Sequence, residues 1–75
     1  MEAIEIDGRR FRLIRGSDVQ RDGMYLELSD TDAQKALAEV FYSDETGRMT
    51  FWAREEDIPF EAVELLIERS KQFLP

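Results

Sequence analysis

The sequence predicts an α+β domain: an antiparallel sheet of about five strands, meander-like in the order β-β-β-β-β-α, with one C-terminal helix packed across one face. Three observations favour this fold. Two stretches, around Asp7-Gly8 and Thr46-Gly47, have the pattern of β-hairpins. Residues 24–29 alternate apolar and polar side chains, and residues 59–73 repeat apolar side chains with a helical period. We therefore expect residues 1–75 to form a single small domain.

Composition limits the functions that the chain can have. The 75 residues contain no histidine and no cysteine, and their formal net charge is −7. Ser-His and Cys-His nucleophile pairs, disulfides and the usual zinc sites are therefore excluded. We expect no enzyme activity, no cofactor and no metal site. No apolar run is as long as a membrane span and no signal-peptide pattern is present, which favours a cytoplasmic protein.

The first hairpin has the strongest turn signal in the chain. Asp7-Gly8 lies between two strand-like runs, and Asp-Gly favours a two-residue type I′ turn. This turn places Ile4 opposite Phe11 on the face that we assign to the core. The full predicted register is Ala3 with Arg12, Ile4 with Phe11, Glu5 with Arg10 and Ile6 with Arg9.

The middle of the chain contains a loop, a clear strand and an ambiguous stretch. Glycines bracket residues 16–23, which predict a loop, and the alternation over 24–29 predicts a strand. Residues 30–40 fit either a helix or a strand, because their apolar spacing is helical while the turn that follows requires a strand partner. We favour a loop over 30–35 and a strand over 36–43.

The second hairpin is apolar on both faces. Residues 44–48 suit a three-residue loop whose left-handed position is a glycine, Gly47. Alternation along the two strands then places Phe41 opposite Phe51, with both side chains and Met49 facing the helix. The opposite face of this hairpin is expected to carry Val40, Tyr42 and Trp52.

Residues 59–73 predict the helix. Pro59 suits the first helical position, because the N–H that it lacks would have no partner there. Glu61 near the start and Lys71 near the end match the helix dipole. Apolar side chains spaced by three and four residues form one stripe, which we expect to face the sheet. The members of this stripe are Phe60, Val63, Leu66, Ile67, Ser70, Phe73 and Leu74.

Paired carboxylates are the remaining candidates for acid–base chemistry. Asp30 with Asp32, and Asp44 with Glu45, lie where turns are expected, and Asp is a common turn residue. An EF-hand interpretation of the first pair fails, because Lys35 stands where that loop needs glycine. All four glycines serve predicted turns rather than a phosphate-binding loop. We therefore interpret both pairs as turn residues.

The functional hypothesis concerns the sheet face that the helix leaves open. Exposed aromatic patches on small domains mark protein contacts, and packing of two such faces would make a symmetric dimer. We expect a non-catalytic protein-interaction module or homodimer, with a protein partner or a second copy on this face and no small-molecule ligand. A simpler interpretation is that arginine side chains lie over the rings. The candidate interaction surface consists of Tyr25, Val40, Tyr42 and Trp52 with Arg10, Arg12, Arg48 and Arg54.

Two alternative functions use the chain differently. Aromatic side chains beside arginines on an open sheet can stack the bases of single-stranded nucleic acid, although the net charge of −7 weighs against nucleic acid as a partner. An acidic surface could instead make the chain an inhibitor of a basic protein, although such clusters are usually only solvated faces. The acidic residues of that surface are Glu55, Glu56, Asp57, Glu61, Glu64 and Glu68.

Overall fold

The computed structural model describes residues 2–75, which form five strands and one helix. The strands make one antiparallel sheet in the order β1-β2-β3-β4-β5, and α1 packs on one face against β1, β3 and β4. The predicted α+β fold, a meander followed by a C-terminal helix, is therefore confirmed. The elements are β1 (Glu2–Ile6), β2 (Arg9–Asp18), β3 (Gly23–Asp30), β4 (Lys35–Ser43), β5 (Met49–Ala53) and α1 (Phe60–Phe73).

The first hairpin forms as the sequence predicts. Asp7 and Gly8 both have positive φ, 50° and 79°, as a type I′ turn requires. The turn places Ile4 opposite Phe11, and all four predicted pairs are confirmed. Phe11 is fully buried, so this register brings its ring into the core.

The predicted loop over residues 16–23 is wrong at both ends, because β2 and β3 extend into it. Gly16 lies under the side chain of Tyr25, where an added Cβ would come 2.5 Å from the Tyr25 hydroxyl oxygen. At Gly23 an added Cβ would come 2.0 Å from the backbone oxygen of Tyr42. Close packing, rather than a turn, therefore explains both glycines.

The strand interpretation of the ambiguous stretch is confirmed by β4. The β3–β4 pairing contains a bulge, because Ser29 lies opposite Ala36 while its neighbour Leu28 lies opposite Ala38. The extra residue between these pairs is Leu37. Leu37 and Ala38 are both fully buried, so the bulge adds one more apolar side chain to the core.

The register of the second hairpin differs from the prediction by one residue. The loop has four residues, 44–47, because the backbone N–H of Ser43 donates to the carbonyl of Arg48. Gly47 has the expected positive φ of 70°. Phe51 therefore lies opposite Val40, and not opposite Phe41 as predicted.

A shift of one residue moves a strand's side chains to the other face of the sheet. Val40 and Tyr42 pack with the core on the helix side, and Phe41 lies on the open face. The predicted faces of these three residues are therefore wrong. Met49 and Phe51, which line the groove beside the helix, lie on the face predicted for them, as does Trp52 on the open face.

α1 covers nearly the predicted range but is rotated about its axis. Its buried stripe includes Ala62, Leu66 and Ser70 and continues to Leu74 after the last turn. Phe60, Ile67 and Phe73, which were predicted to face the sheet, are exposed instead. The small side chains of Ala62 and Ser70 form the contact, and the Ser70 hydroxyl is satisfied because it donates to the Leu66 carbonyl at 2.7 Å.

Candidate functional site

The structure keeps most of the predicted interaction surface together on the open sheet face. Val40 and Tyr42 are the exceptions, since Val40 is only 6% exposed and Tyr42 is half-buried against the core. Phe41 takes their place, directly opposite Tyr25 on the neighbouring strand. The predicted residues that remain on this face, or continue it at the ends of β5, are Tyr25, Trp52, Arg10, Arg12, Arg48 and Arg54.

The aromatic rings of the open face are covered by arginines of the same chain. The guanidinium of Arg21 lies 4.1 Å from the centroid of Phe41 and also pairs with Glu39 at 3.0 Å. Arg54 lies 5.1 Å from the centroid of Trp52. These cation–π contacts give each ring and each guanidinium a partner within the chain. Sequence reasoning missed Arg21 because this residue does lie in the turn between β2 and β3, and only its side chain reaches over the sheet.

The centre of the open face is charged rather than apolar. Glu27 and Glu39 lie directly opposite each other on β3 and β4. Partial burial, followed by the charge of Glu39, raises the pKa of Glu27, while Arg12 and Arg54 lower it to a smaller extent. Within residues 2–75, the buried Nε of Arg12 has no hydrogen-bond partner. The centre of the open face is therefore a cluster of mixed charges between the aromatic rings.

β5 has a different surface from the rest of the sheet. It is the last strand of the sheet, and all five of its residues are exposed. Met49 and Phe51 point to the helix side, and Trp52 points to the open side. Phe51 is 51% exposed and Trp52 is 47% exposed. Large apolar side chains therefore flank this edge on both faces.

The backbone of β5 also has groups directed away from the sheet. Arg48 accepts a hydrogen bond from Ser43 of β4 with its carbonyl oxygen. Residues of an antiparallel edge strand alternate between bonding to the neighbouring strand and facing outward. The N–H and C=O groups of Met49, Phe51 and Ala53 therefore point to the free edge of the sheet.

A groove of about 230 Å³ lies between β5 and α1. Phe51 and Ile67 form part of its apolar walls, and Lys71 lies on the helix side of it. Phe60, which is 71% exposed, lies about two helical turns before Ile67 and so shares its flank of α1. The exposed Glu64 lies one turn after Phe60 on the same flank. The apolar surface beside β5 is therefore the groove between Ile67 and the helix side of β5.

A larger cleft of about 610 Å³ lies on the opposite side of α1. Leu13 and Leu26 form its floor, and Glu2, Arg15 and Phe73 form its sides. Glu2 pairs with Arg69, and the guanidinium of Arg15 lies 5.6 Å from the centroid of Phe73. The charged side chains of this cleft therefore already contact neighbours in the chain.

An ion-pair cluster closes one end of the sheet. Asp30 accepts hydrogen bonds from the backbone N–H of Ala33 at 2.9 Å and from Arg9 Nε at 3.0 Å. These two contacts, in that order, lower the pKa of Asp30. Arg9 also pairs with Glu55, which in turn pairs with Lys35. The turn interpretation of Asp30 is confirmed, and Glu55 is held within this cluster.

The described part of the chain, residues 2–75, contains no group of three His, Cys, Asp or Glu side chains placed to hold a metal ion. None of its helices is long and apolar enough to cross a membrane. Comparisons of the chain with protein-family models, curated proteins and solved structures find no match. Its function therefore has to be argued from its own surfaces.

Proposed function

We propose that this protein is a non-catalytic protein-interaction module that binds an extended polypeptide segment along the free edge of β5. The single observation that carries the proposal is an edge strand whose five residues are all exposed and uncharged. Native proteins protect such edges with charge, proline or a covering element, because an open edge pairs readily with another chain. Residues 49–53 contain neither charge nor proline. This edge is therefore available for strand addition.

The edge and the adjacent groove supply the two components of strand recognition. The outward backbone groups of Met49, Phe51 and Ala53 can form main-chain hydrogen bonds with an added strand. The groove between Phe51 and Ile67 can accept alternate apolar side chains of that strand, which would give specificity. A partner segment with apolar residues at every second position fits this surface best.

The open sheet face is the less suitable surface. Its rings are covered by Arg21 and Arg54, and a partner would have to displace these contacts. Glu27 and Glu39 at its centre would repel phosphates, which weighs against single-stranded nucleic acid. An acidic inhibitory surface also loses support, since Glu55 pairs with Arg9 and Lys35.

A display library of short random peptides tests the proposal. The library is selected on the wild-type protein and on the Phe51→Lys variant, whose new charge lies on the exposed edge. We expect peptides with alternating apolar residues to be enriched on the wild type and lost on the variant. In amide NMR spectra these peptides should shift Met49, Phe51 and Ala53.

Val19→Lys is the matched control, since Val19 is 90% exposed in the turn between β2 and β3, and β4 separates these strands from β5. This variant should select the same peptides as the wild type. Peptides that bind the Phe51→Lys variant equally well would contradict the proposal. So would amide shifts centred on Tyr25 and Phe41, because these residues belong to the open face.

A further inference from the structure

We infer that the strand bound at the β5 edge is β5 of a second copy of this chain, antiparallel and related by a two-fold axis beside Thr50. This inference rests on the proposed strand-binding function and names the partner. A two-fold axis that pairs two edge strands in this way runs perpendicular to the sheet. Both helices therefore lie on the same face of the joined sheet. The two copies would share one continuous sheet of ten strands, five from each.

The hydrogen-bonding pattern of the edge limits the possible registers. Outward groups occur at Met49, Phe51 and Ala53, so a second β5 must place one of these residues opposite another. An axis beside Thr50 meets this condition, because it places Met49 of each copy opposite Phe51 of the other. Each such pair exchanges two hydrogen bonds across the edge. Thr50 then lies opposite its own equivalent in the second copy.

The side chains are self-complementary in this register. On the helix side, the Met49 thioether meets the Phe51 ring, a favourable sulfur–aromatic contact. On the open side, the Arg48 guanidinium meets the Trp52 ring, which makes a cation–π pair. The alternative axis beside Phe51 places Arg48 opposite Arg54, and like charges in directly opposed positions are destabilising. The register centred on Thr50 is therefore favoured.

Pairing of the two strands would also close the groove beside α1. The helices of the two copies become the walls of one trough, with Ile67 and Phe60 of each copy facing its interior. The side chains of Met49 and Phe51 from both copies fill the floor of this trough. An exposed groove in one chain thus becomes a shared apolar layer in the pair, as expected of a two-fold interface.

The exposed apolar area is sufficient for a stable contact. Five side chains of each copy, which are between 40% and 71% exposed, contribute roughly 100 Å² apiece. Two copies therefore bury on the order of 1,000 Å², which is about the area that a specific interface needs. These side chains are Met49, Phe51, Trp52, Phe60 and Ile67.

Charge also favours this place of contact. Two copies with a net charge of −7 repel each other over most of their surface. Residues 46–54 contain no carboxylate and carry Arg48 and Arg54. The β5 edge is therefore a place where two copies can approach with little carboxylate repulsion. Added salt should strengthen the dimer, since it screens the remaining repulsion.

Sedimentation equilibrium over a range of concentrations provides the first test. We expect the wild type to be a dimer and Phe51→Lys to weaken the dimer roughly tenfold or more, as the loss of a central interface aromatic does. Val19→Lys should dimerise like the wild type. Both substituted positions are exposed, so both variants should fold. A wild type that stays monomeric at every concentration would overturn the inference.

Single cysteine variants test the register, since the natural chain contains no cysteine. Directly opposed residues of a pair without mutual hydrogen bonds lie about 4.5 Å apart at Cα, within the range of a disulfide. Thr50→Cys should therefore oxidise to a covalent dimer at least about ten times faster than Phe51→Cys or Val19→Cys. Equal rates for Thr50→Cys and Val19→Cys, or a faster reaction of Phe51→Cys, would overturn this pairing.

Failure of this inference can be distinguished from failure of the proposed function. If the protein is a monomer and still selects peptides through Phe51, a second copy is not the partner, but the proposed strand binding stands. A dimer that survives Phe51→Lys and does not cross-link through Thr50→Cys would overturn the β5–β5 pairing, because its contact would lie elsewhere. Strand binding itself would be overturned only if peptide selection also failed to depend on Phe51.

Discussion

The two edges of this sheet differ in whether α1 protects them. The β1 edge carries Glu2 and Glu5, and Arg69 of α1 binds both carboxylate oxygens of Glu2 at 2.7 and 3.1 Å. Ile4 and Ile6 of β1 are half-buried against the core. The five residues of β5 are all uncharged and exposed. The position of α1 thus protects the β1 edge and leaves the β5 edge exposed.

Substitutions on two successive helix residues give the largest expected effect. Leu66→Ala should lower the free energy of unfolding by about 2–5 kcal/mol, because Leu66 is fully buried where α1 covers the sheet. Within a single copy, Ile67→Ala should cost about 1 kcal/mol or less, because its side chain lies on the exposed flank beside β5. Both substitutions are therefore compared in the Phe51→Lys background, which keeps the copies apart. Urea unfolding measures both values. Equal losses would mean that α1 also covers the β5 half of the sheet.

The centre of the open face, between the two edges, gives a smaller effect. The raised pKa of Glu27 means that the folded state favours the protonated form of this carboxyl. The free energy of unfolding therefore falls as the pH rises through the folded pKa of Glu27. Glu27→Gln should therefore raise the free energy of unfolding at pH 7, by about 1 kcal/mol or less after solvent screening. It should have little effect at pH 3.

Urea unfolding of Glu27→Gln at the two pH values measures this difference. Glu64→Gln, on an exposed position of α1, is the matched control and should change the free energy of unfolding by less than about 0.5 kcal/mol. A loss of stability in Glu27→Gln at pH 7 would contradict the expectation, since it would mean that Arg12 and Arg54 more than compensate for burial.

The protected edge gives the smallest effect. The hydrogen bond from Arg69 is the main cause that lowers the pKa of Glu2. The contribution of ionised Glu2 to the free energy of unfolding is therefore present above the unfolded pKa of about 4.3. This contribution is lost as the pH falls through the folded pKa of Glu2. Glu2→Gln should be slightly less stable than the wild type at pH 7 and equally stable at pH 2. Thermal unfolding at both pH values measures this. A difference that persists at pH 2 would indicate packing rather than charge.

The two hairpins show how far the sequence predicts the fold. Asp7-Gly8 allows one tight turn, so the register of β1 and β2 was predicted residue by residue. In the second hairpin, a three-residue and a four-residue loop can both end in Gly47. Both faces of β4 are apolar, so alternation could not distinguish the two registers. Phe41 was therefore missed on the open face, and Val40 was placed there wrongly.

The open edge could not be predicted for a related reason. The range of α1 follows from its apolar period, but its rotation depends on which residues can approach the sheet closely. Ala62 is fully buried in that contact, and a pattern based on large side chains gives it little weight. Phe60 and Ile67 were therefore assigned to the core, although both are exposed and Ile67 lines the groove beside β5.

The order of the strands also has a kinetic consequence. Each strand pairs with the strand that precedes it in the chain, so the sheet can form hairpin by hairpin with short loops to close. The contact between Arg69 and Glu2 joins residues 67 positions apart and can form only after α1 has docked. The β1 edge therefore becomes protected in the last step of folding. The β5 edge stays open throughout, so a nascent chain could pair there before its own helix is in place.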